Sequence, residues 1–370
     1  MKRTAIILIS VLLMCSCASG ANDTSYPESG FRVGILWRSS GIQSQNIARI
    51  VEAAGGELVT LDFESKGMIN RVQELIDANV DGILIMPTDE AALPQITEMC
   101  EEAGVFWAIN NRPIHNQEIK QIVESSPYYT GHVQESDEET AYEIVKLLAL
   151  EGSKSIALIM PFVTDSVGDA RARGVNRAVA EFDIEIVAEI NTASTDEDFF
   201  KAVSNIIIAY PKLDTVFRVG ALNTNSSRCI IDAIEASDRF GQIKFASIDI
   251  DGLTEEDFEK GVVIVAAGGH KEFDCVLAAG ILVNALNGTP ISEDGPAEVT
   301  VEYLMFHTAQ DLRKYNQAFN DNGGILFSEE AARQMLLRKY NDKITQTDYE
   351  KIVNTYTLDN LDILKTWNPD

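Results

Sequence analysis

The sequence predicts an α/β protein built from two doubly wound lobes, and three observations predict it. Short, nearly uninterrupted apolar runs alternate with amphipathic stretches, which is the pattern of parallel strands covered by helices on both faces. The alternation runs from Arg32 to about residue 133 and restarts near residue 154, so the architecture is duplicated. About 340 residues follow the N-terminal leader, more than one hydrophobic core usually organises.

The leader comes first. Lys2 and Arg3 precede an apolar run from Ala5 to Met14. That run is too short to span a ~30 Å hydrocarbon core and ends in small residues, so it reads as a signal peptide. Leu13-Met14-Cys15-Ser16-Cys17-Ala18 resembles a bacterial lipobox, in which the acylated Cys becomes the mature N-terminus. Cys17, preceded by the small Ser16, is the expected lipid anchor of segment 1–17; a plain secretory cleavage nearby is the alternative. Residues 18–31 are small and polar and suit a tether.

The predicted elements then follow in order. RVGILW is a buried strand, and the helix NIARIVEAA stops at Gly55-Gly56. ELVTLDF, DGILIMP and VFWAIN are strands, separated by the helices MINRVQELIDANV and AALPQITEMCEEA. After the helix ETAYEIVKLLALEG the second series begins with strand KSIALIMP and helix GDARARGVNRAVAEF. IEIVAEI, DTVFRVG and IKFASID are strands; EDFFKAVSNIIIAYP and SSRCIIDAIEAS are helices. VVIVAAG is a strand, KEFDCVLAAGILVNALNG a long helix and EVTVEYLMF a strand. The tail holds two further helical patterns, SEEAARQMLLRKYNDK and QTDYEKIVNTY.

Composition excludes several functions. The formal net charge is −27, from 57 acidic and 30 basic residues. Such a surface repels phosphate backbones, so nucleic acid is not an expected partner. Cys100, Cys229 and Cys275 are far apart and sit in apolar helical contexts, as buried thiols do. No metal or cofactor site is expected: the chain has no C-x-x-C, H-E-x-x-H or P-loop motif, and Asp249-Ile-Asp251-Gly252 lacks the later acids of a calcium loop. Without a G-x-S-x-G elbow or a His beside a Ser or Cys in a recognisable frame, no catalytic residue is expected either.

In open parallel sheets, ligands sit beyond the carboxyl ends of the strands. The residues there are Trp37 and Arg38, Thr88, Asn111 and Arg112, Arg171, Asn223, Asp249 and His270. Aromatic, amide, guanidinium and carboxylate groups together suit a small polyhydroxylated ligand, whose ring stacks on an indole while forked groups hold adjacent hydroxyls. Four of them have a plainer alternative. Trp37 can plug the sheet end, Thr88-Asp89 and Asp249 can cap helices, and Arg112 can be a surface residue.

The stretch from Val80 to Pro113, VDGILIMPTDEAALPQITEMCEEAGVFWAINNRP, with GDARARGVNRAV and FASIDIDG, resembles the type I periplasmic binding proteins in their sugar-binding branch, typified by ribose-binding protein. The resemblance covers residues 32–320. It implies two Rossmann-like lobes joined by a three-stranded hinge: residues 32–133 with 267–303, and 134–266 with 304–320, leaving 321–370 as a helical extension. It places the crossovers near His132–Glu135, Ala266–Gly269 and Met305–Thr308. The family's ligand-holding Asp-Arg pair falls on Asn111 and Arg112, its second-lobe arginine on Arg171 and its late aspartate on Asp249. Trp37, Arg38 and Thr88 match first-lobe contacts, Asn223 a contact on an altered loop, and His270 stands near a late glutamine. The implied function is capture of a sugar or related polyol by hinge closure, as a monomeric lipoprotein serving an ABC permease. Presentation of the ligand to a membrane sensor is the alternative.

Overall fold

The alternation of apolar runs and amphipathic segments becomes two six-stranded sheets with the same strand order. The computed structural model describes residues 30–36, 41–60, 67–160, 166–191, 195–220, 225–320 and 323–361. The leader and Cys17 lie outside them. The first series is β1 (Arg32–Ile35), α1 (Gly41–Ala54), β2 (Glu57–Val59), α2 (Met68–Asp77), β3 (Gly82–Ile85), α3 (Leu93–Ala103), β4 (Phe106–Asn110), α4 (Gln117–Glu124) and β5 (Tyr129–Glu135). The second is α5 (Asp137–Leu150), β6 (Ser155–Ile159), α6 (Ser166–Phe182), β7 (Glu185–Ile190), α7 (Asp196–Ala209), β8 (Thr215–Arg218), α8 (Ser226–Glu235), β9 (Lys244–Ile248), α9 (Glu255–Glu259) and β10 (Val263–Gly268). Then come α10 (Lys271–Leu286), β11 (Ala297–Val301), β12 (Leu304–Phe306), α11 (Ala309–Asn320), α12 (Glu329–Met335) and α13 (Gln346–Thr355).

One sheet runs β11-β5-β4-β3-β1-β2 and the other β12-β10-β9-β8-β6-β7. Every described pairing is parallel except β10 with β12. Parallel pairing needs crossover helices, and these bury both sheet faces, so β3, β4, β6 and β8 are buried along their whole length. In each sheet the strand order reverses beside the first strand of its series, which puts a ligand crevice at the carboxyl ends.

One expectation changes. EVTVEYLMF is not one strand: it breaks at Glu302-Tyr303, with β11 in the first sheet and β12 in the second. The third crossover therefore lies between Val301 and Leu304, a few residues ahead of Met305–Thr308. His132, expected at the surface or the hinge, lies just ahead of the first crossing and is 2% exposed inside β5, its Nδ1 3.0 Å from the Tyr129 hydroxyl, and burial lowers its pKa. Glycine permits two close approaches. Gly131 (φ 135°) lets β11 pair with β5, where a Cβ would stand 2.1 Å from the Ala297 carbonyl oxygen. Gly174 lets α6 lie on α5, where a Cβ would meet the Glu138 carbonyl oxygen at 2.0 Å.

Gly174→Ala tests the second approach. Better helix propensity recovers about 1 kcal/mol, but a backbone oxygen cannot rotate away, and overpacking costs about 1–3 kcal/mol or more. Urea unfolding is expected to show a lower midpoint at an unchanged slope. A variant as stable as the parent would disprove the α5–α6 contact.

Candidate functional site

Between β5 and β12 the chain passes from one sheet to the other three times, and each passage delivers a polar side chain to the same buried spot. Glu135 ends β5 and Asp137 opens α5; His270 lies between β10 and α10; Tyr303 lies between β11 and β12. These residues are 1–6% exposed. His270 Nε2 stands 2.5 Å from Glu135 Oε1, and its ring packs on that of Tyr303 with centroids 4.0 Å apart. The Tyr303 hydroxyl accepts from Arg171 Nη2 at 2.6 Å. It lies within donating reach of Glu135 Oε2 and of Asp137 Oδ1, the latter at 2.8 Å. Arg171, from α6, completes the knot: Nε donates to Asp137 Oδ1 at 2.7 Å and Nη1 to the Val219 carbonyl at 2.9 Å.

Charges this deep persist only when paired, because burial disfavours each ionised form. Burial by itself would raise the Glu135 carboxyl, but the charge and hydrogen bond of His270, with Arg171, bring it down to about 2. Burial raises Asp137, with the Arg171 charge opposing. Asp274, on the first full turn of α10, is pushed well above the usual carboxylate range by burial and by Glu135. Asn111 bridges the two acids, its Nδ2 donating to Glu135 Oε1 and, at 2.9 Å, to Asp274 Oδ2.

A second cluster lies at the carboxyl ends of β8 and β9. Arg218, 1% exposed, donates from Nε to Ser226 Oγ at 2.7 Å and from Nη1 to the Ile248 carbonyl at 2.8 Å. Its Nη1 is 3.9 Å from Asp249 Oδ2. Lys271 Nζ pairs with Asp249 at 3.1 Å and Asp251 at 2.9 Å. Burial would raise the Asp249 carboxyl, yet Lys271 and Arg218 hold it well below the carboxylate range. Asn111 (φ 60°) and Asp249 (φ 76°) are the first residues after β4 and β9, the matching strands of the two sheets. Asn and Asp tolerate this left-handed conformation, and at each lobe it places a polar side chain just beyond the strand end.

The expected site residues divide accordingly. Trp37, Arg38 and Asn223 lie outside the described residues. Asn111, Arg171, Asp249 and His270 converge on the crossings, tied to protein partners. Arg112, half-buried, donates from Nη1 to the Asn111 carbonyl at 2.9 Å. Thr88 is exposed beside Asp89, whose carboxylate caps the next turn through Ala91 N–H at 2.9 Å. At the rim, His115 Nε2 reaches the Ser166 carbonyl at 3.1 Å, one lobe touching the other. The sequence reading missed Glu135, Asp137, Arg218, Asp274 and Tyr303. Arg218 carried a signal: a charge as the last residue of the apolar run TVFR.

Two matching lobes, three crossings and a charged floor where they meet define a hinged, two-lobed binding protein. The chain belongs to the periplasmic binding protein domain family, which matches residues 37–266; its fold is the type I fold of that family. A periplasmic sugar-binding protein from Pseudomonas fluorescens superposes with TM-score 0.69 at 16% identity, over 90% of this chain and 99% of its own. A solute-binding protein of an ABC transporter from Actinobacillus succinogenes, solved with D-allose, gives 0.64 at 18% identity over 76% and 99%. One from Bacillus halodurans, solved with myo-inositol, gives 0.61 at 19% over 79% and 98%. No curated protein matches. Among the described residues no helix is long and apolar enough to cross a membrane.

Tyr303→Phe keeps the ring on His270 and removes only the hydroxyl shared by Arg171, Glu135 and Asp137. Hydrogen bonds to charged groups contribute about 1.5–3 kcal/mol, and a loss of that size is expected in urea unfolding. A variant as stable as the parent would show that this hydroxyl does not tie the crossings together.

Proposed function

We propose that the protein captures a small polar solute, a sugar or related polyol, between its lobes and delivers it to an ABC importer without turning it over. One observation carries the reading: polar groups of both lobes and of all three crossings meet on one floor. Asn111 and Arg112 come from the first lobe, Arg171, Arg218 and Asp249 from the second, and Asp137, His270 and Tyr303 from the three crossings. A solute bonded to both lobes has a differential affinity for the closed form, and that difference is what drives closure. Solved relatives of this fold hold D-allose and myo-inositol, ligands whose adjacent hydroxyls suit forked guanidinium and carboxylate partners. The family works outside the cytoplasm, and the leader with Cys17 supports lipid attachment to a membrane.

Thermal-shift screening against pentoses, hexoses, polyols and nucleosides tests the ligand class. A solute at 100 times its Kd is expected to add about 2.7 kcal/mol of stability. Arg112→Ala and Asp249→Asn are expected to lose most of that shift. A full shift in both variants would place the ligand elsewhere, and no shift with any neutral polyol would overturn the sugar reading.

Cys17→Ser tests the anchor. In a cell fractionation, the variant is expected to leave the membrane for the soluble extracytoplasmic fraction. Unchanged membrane association would refute lipidation at Cys17.

A further inference from the structure

A buried glutamate meets a histidine and an aspartate that lie one helical turn apart and far from it in sequence, and together they make a donor set that no C-x-x-C or H-E-x-x-H motif reveals. Glu135 opens the first crossing, His270 sits on the second, and Asp274 follows one turn later on the same face of α10. One imidazole nitrogen and one oxygen from each carboxylate lie within 4.8 Å of one another. Exposures are 6%, 1% and 0%. Two carboxylates at this separation in a dry interior repel each other. Among the described residues Asp274 Oδ1 has no hydrogen-bond partner, although buried polar atoms rarely go without one.

We propose that Glu135, His270 and Asp274 bind a divalent cation of the Zn2+ or Mn2+ class, joining the first crossing to the second. An imidazole with two carboxylates suits these ions, whereas Ca2+ takes six or more oxygens. Two carboxylates also neutralise a dication, so the occupied site carries no net buried charge. Metal–ligand bonds of about 2.0–2.2 Å set neighbouring ligand atoms roughly 3–4.4 Å apart. The cluster already has that scale, except that His270 Nε2 and Glu135 Oε1, at 2.5 Å, must part by roughly an ångström. The surroundings orient the ligands as outer-shell partners do. Asn111 holds Glu135 Oε1 and Asp274 Oδ2, and Tyr303 and Arg171 hold Glu135 Oε2, at 3.7 Å for the guanidinium. The competing occupant is a proton shared by the two carboxyls.

The test uses the intact mature protein, purified without a polyhistidine tag, stripped with chelator and titrated with ZnCl2 and MnCl2 by calorimetry. One saturable site per chain is expected, with a higher Tm when it is filled. Asp274→Asn, close to isosteric, is expected to weaken binding at least about tenfold. Weak binding at many sites, or single-site binding unchanged in a folded Asp274→Asn, would overturn the proposal. So would an Asp274→Asn variant more stable than a parent that is indifferent to metal, the result a shared proton produces. X-ray absorption of the zinc-loaded parent decides without any variant: an imidazole nitrogen in the first shell supports the site, and an all-oxygen shell refutes it.

Discussion

Arg171 enters the interior from α6 and is 6% exposed, so its charge needs partners that water would otherwise supply. It finds Asp137 on the first crossing, Tyr303 on the third and the Val219 carbonyl beyond β8. Through Tyr303 and Glu135 it reaches His270 on the second. Most of the rest depends on this arrangement. The three crossings connect the two sheets, and one hydrogen-bonded knot gathers them. Removing one member strands the others as uncompensated buried charges, which costs more than a surface ion pair contributes. Arg173 and Arg177, two and six residues on, pair with Glu138 and Glu139 in the open, where such contacts are worth little.

The tail is tied to the same region. Of the 16 residues of α10, Phe273 to Leu286 are buried, and a helix apolar on every side must be covered on every side. Sheet strands and α1 cover part of it, and residues 326–356 cover the rest. Asn284, inside α10, donates to the Leu336 carbonyl at 2.7 Å and accepts from Arg338 N–H at 2.8 Å, while the Tyr349 hydroxyl donates to the Leu336 carbonyl at 2.8 Å. Tyr356 stacks on Phe273 with centroids 4.2 Å apart and donates to the Gly269 carbonyl, on the second crossing. Residues 326–356 are therefore part of the core around α10 and reach the second crossing directly.

Elements whose apolar pattern was strong were readable, and those whose burial is bought by hydrogen bonds were not. The runs of β1, β3, β4, β6 and β10 appear as strands in the sequence because nearly every side chain in them is buried. The strand β5, YTGHVQE, gives no such signal: His132 and Glu135 are buried in it only because Tyr129, Tyr303 and His270 satisfy them. α4 and α11 escaped notice for a related reason, since α4 buries a single residue, Val123, and α11 is mostly polar. In the candidate site, the places of Asn111, Arg112, Arg171, Asp249 and His270 after strands or at a helix start are legible in the sequence. Their partners Glu135, Asp137, Asp274 and Tyr303 lie in or beside elements that gave no polar signature.

The sequence alone determined the α/β alternation, its duplication and the positions of the strand ends, because periodicity and chain-breaking residues are local properties. Only the tertiary structure decided which sheet each half of EVTVEYLMF joins, and that residues 135, 137, 171, 270, 274 and 303 meet. Those contacts join residues up to 168 positions apart, and no spacing rule encodes them. They arise because two sheets with one strand order are stitched together by crossings that end in the same place, where every buried charge must find a partner.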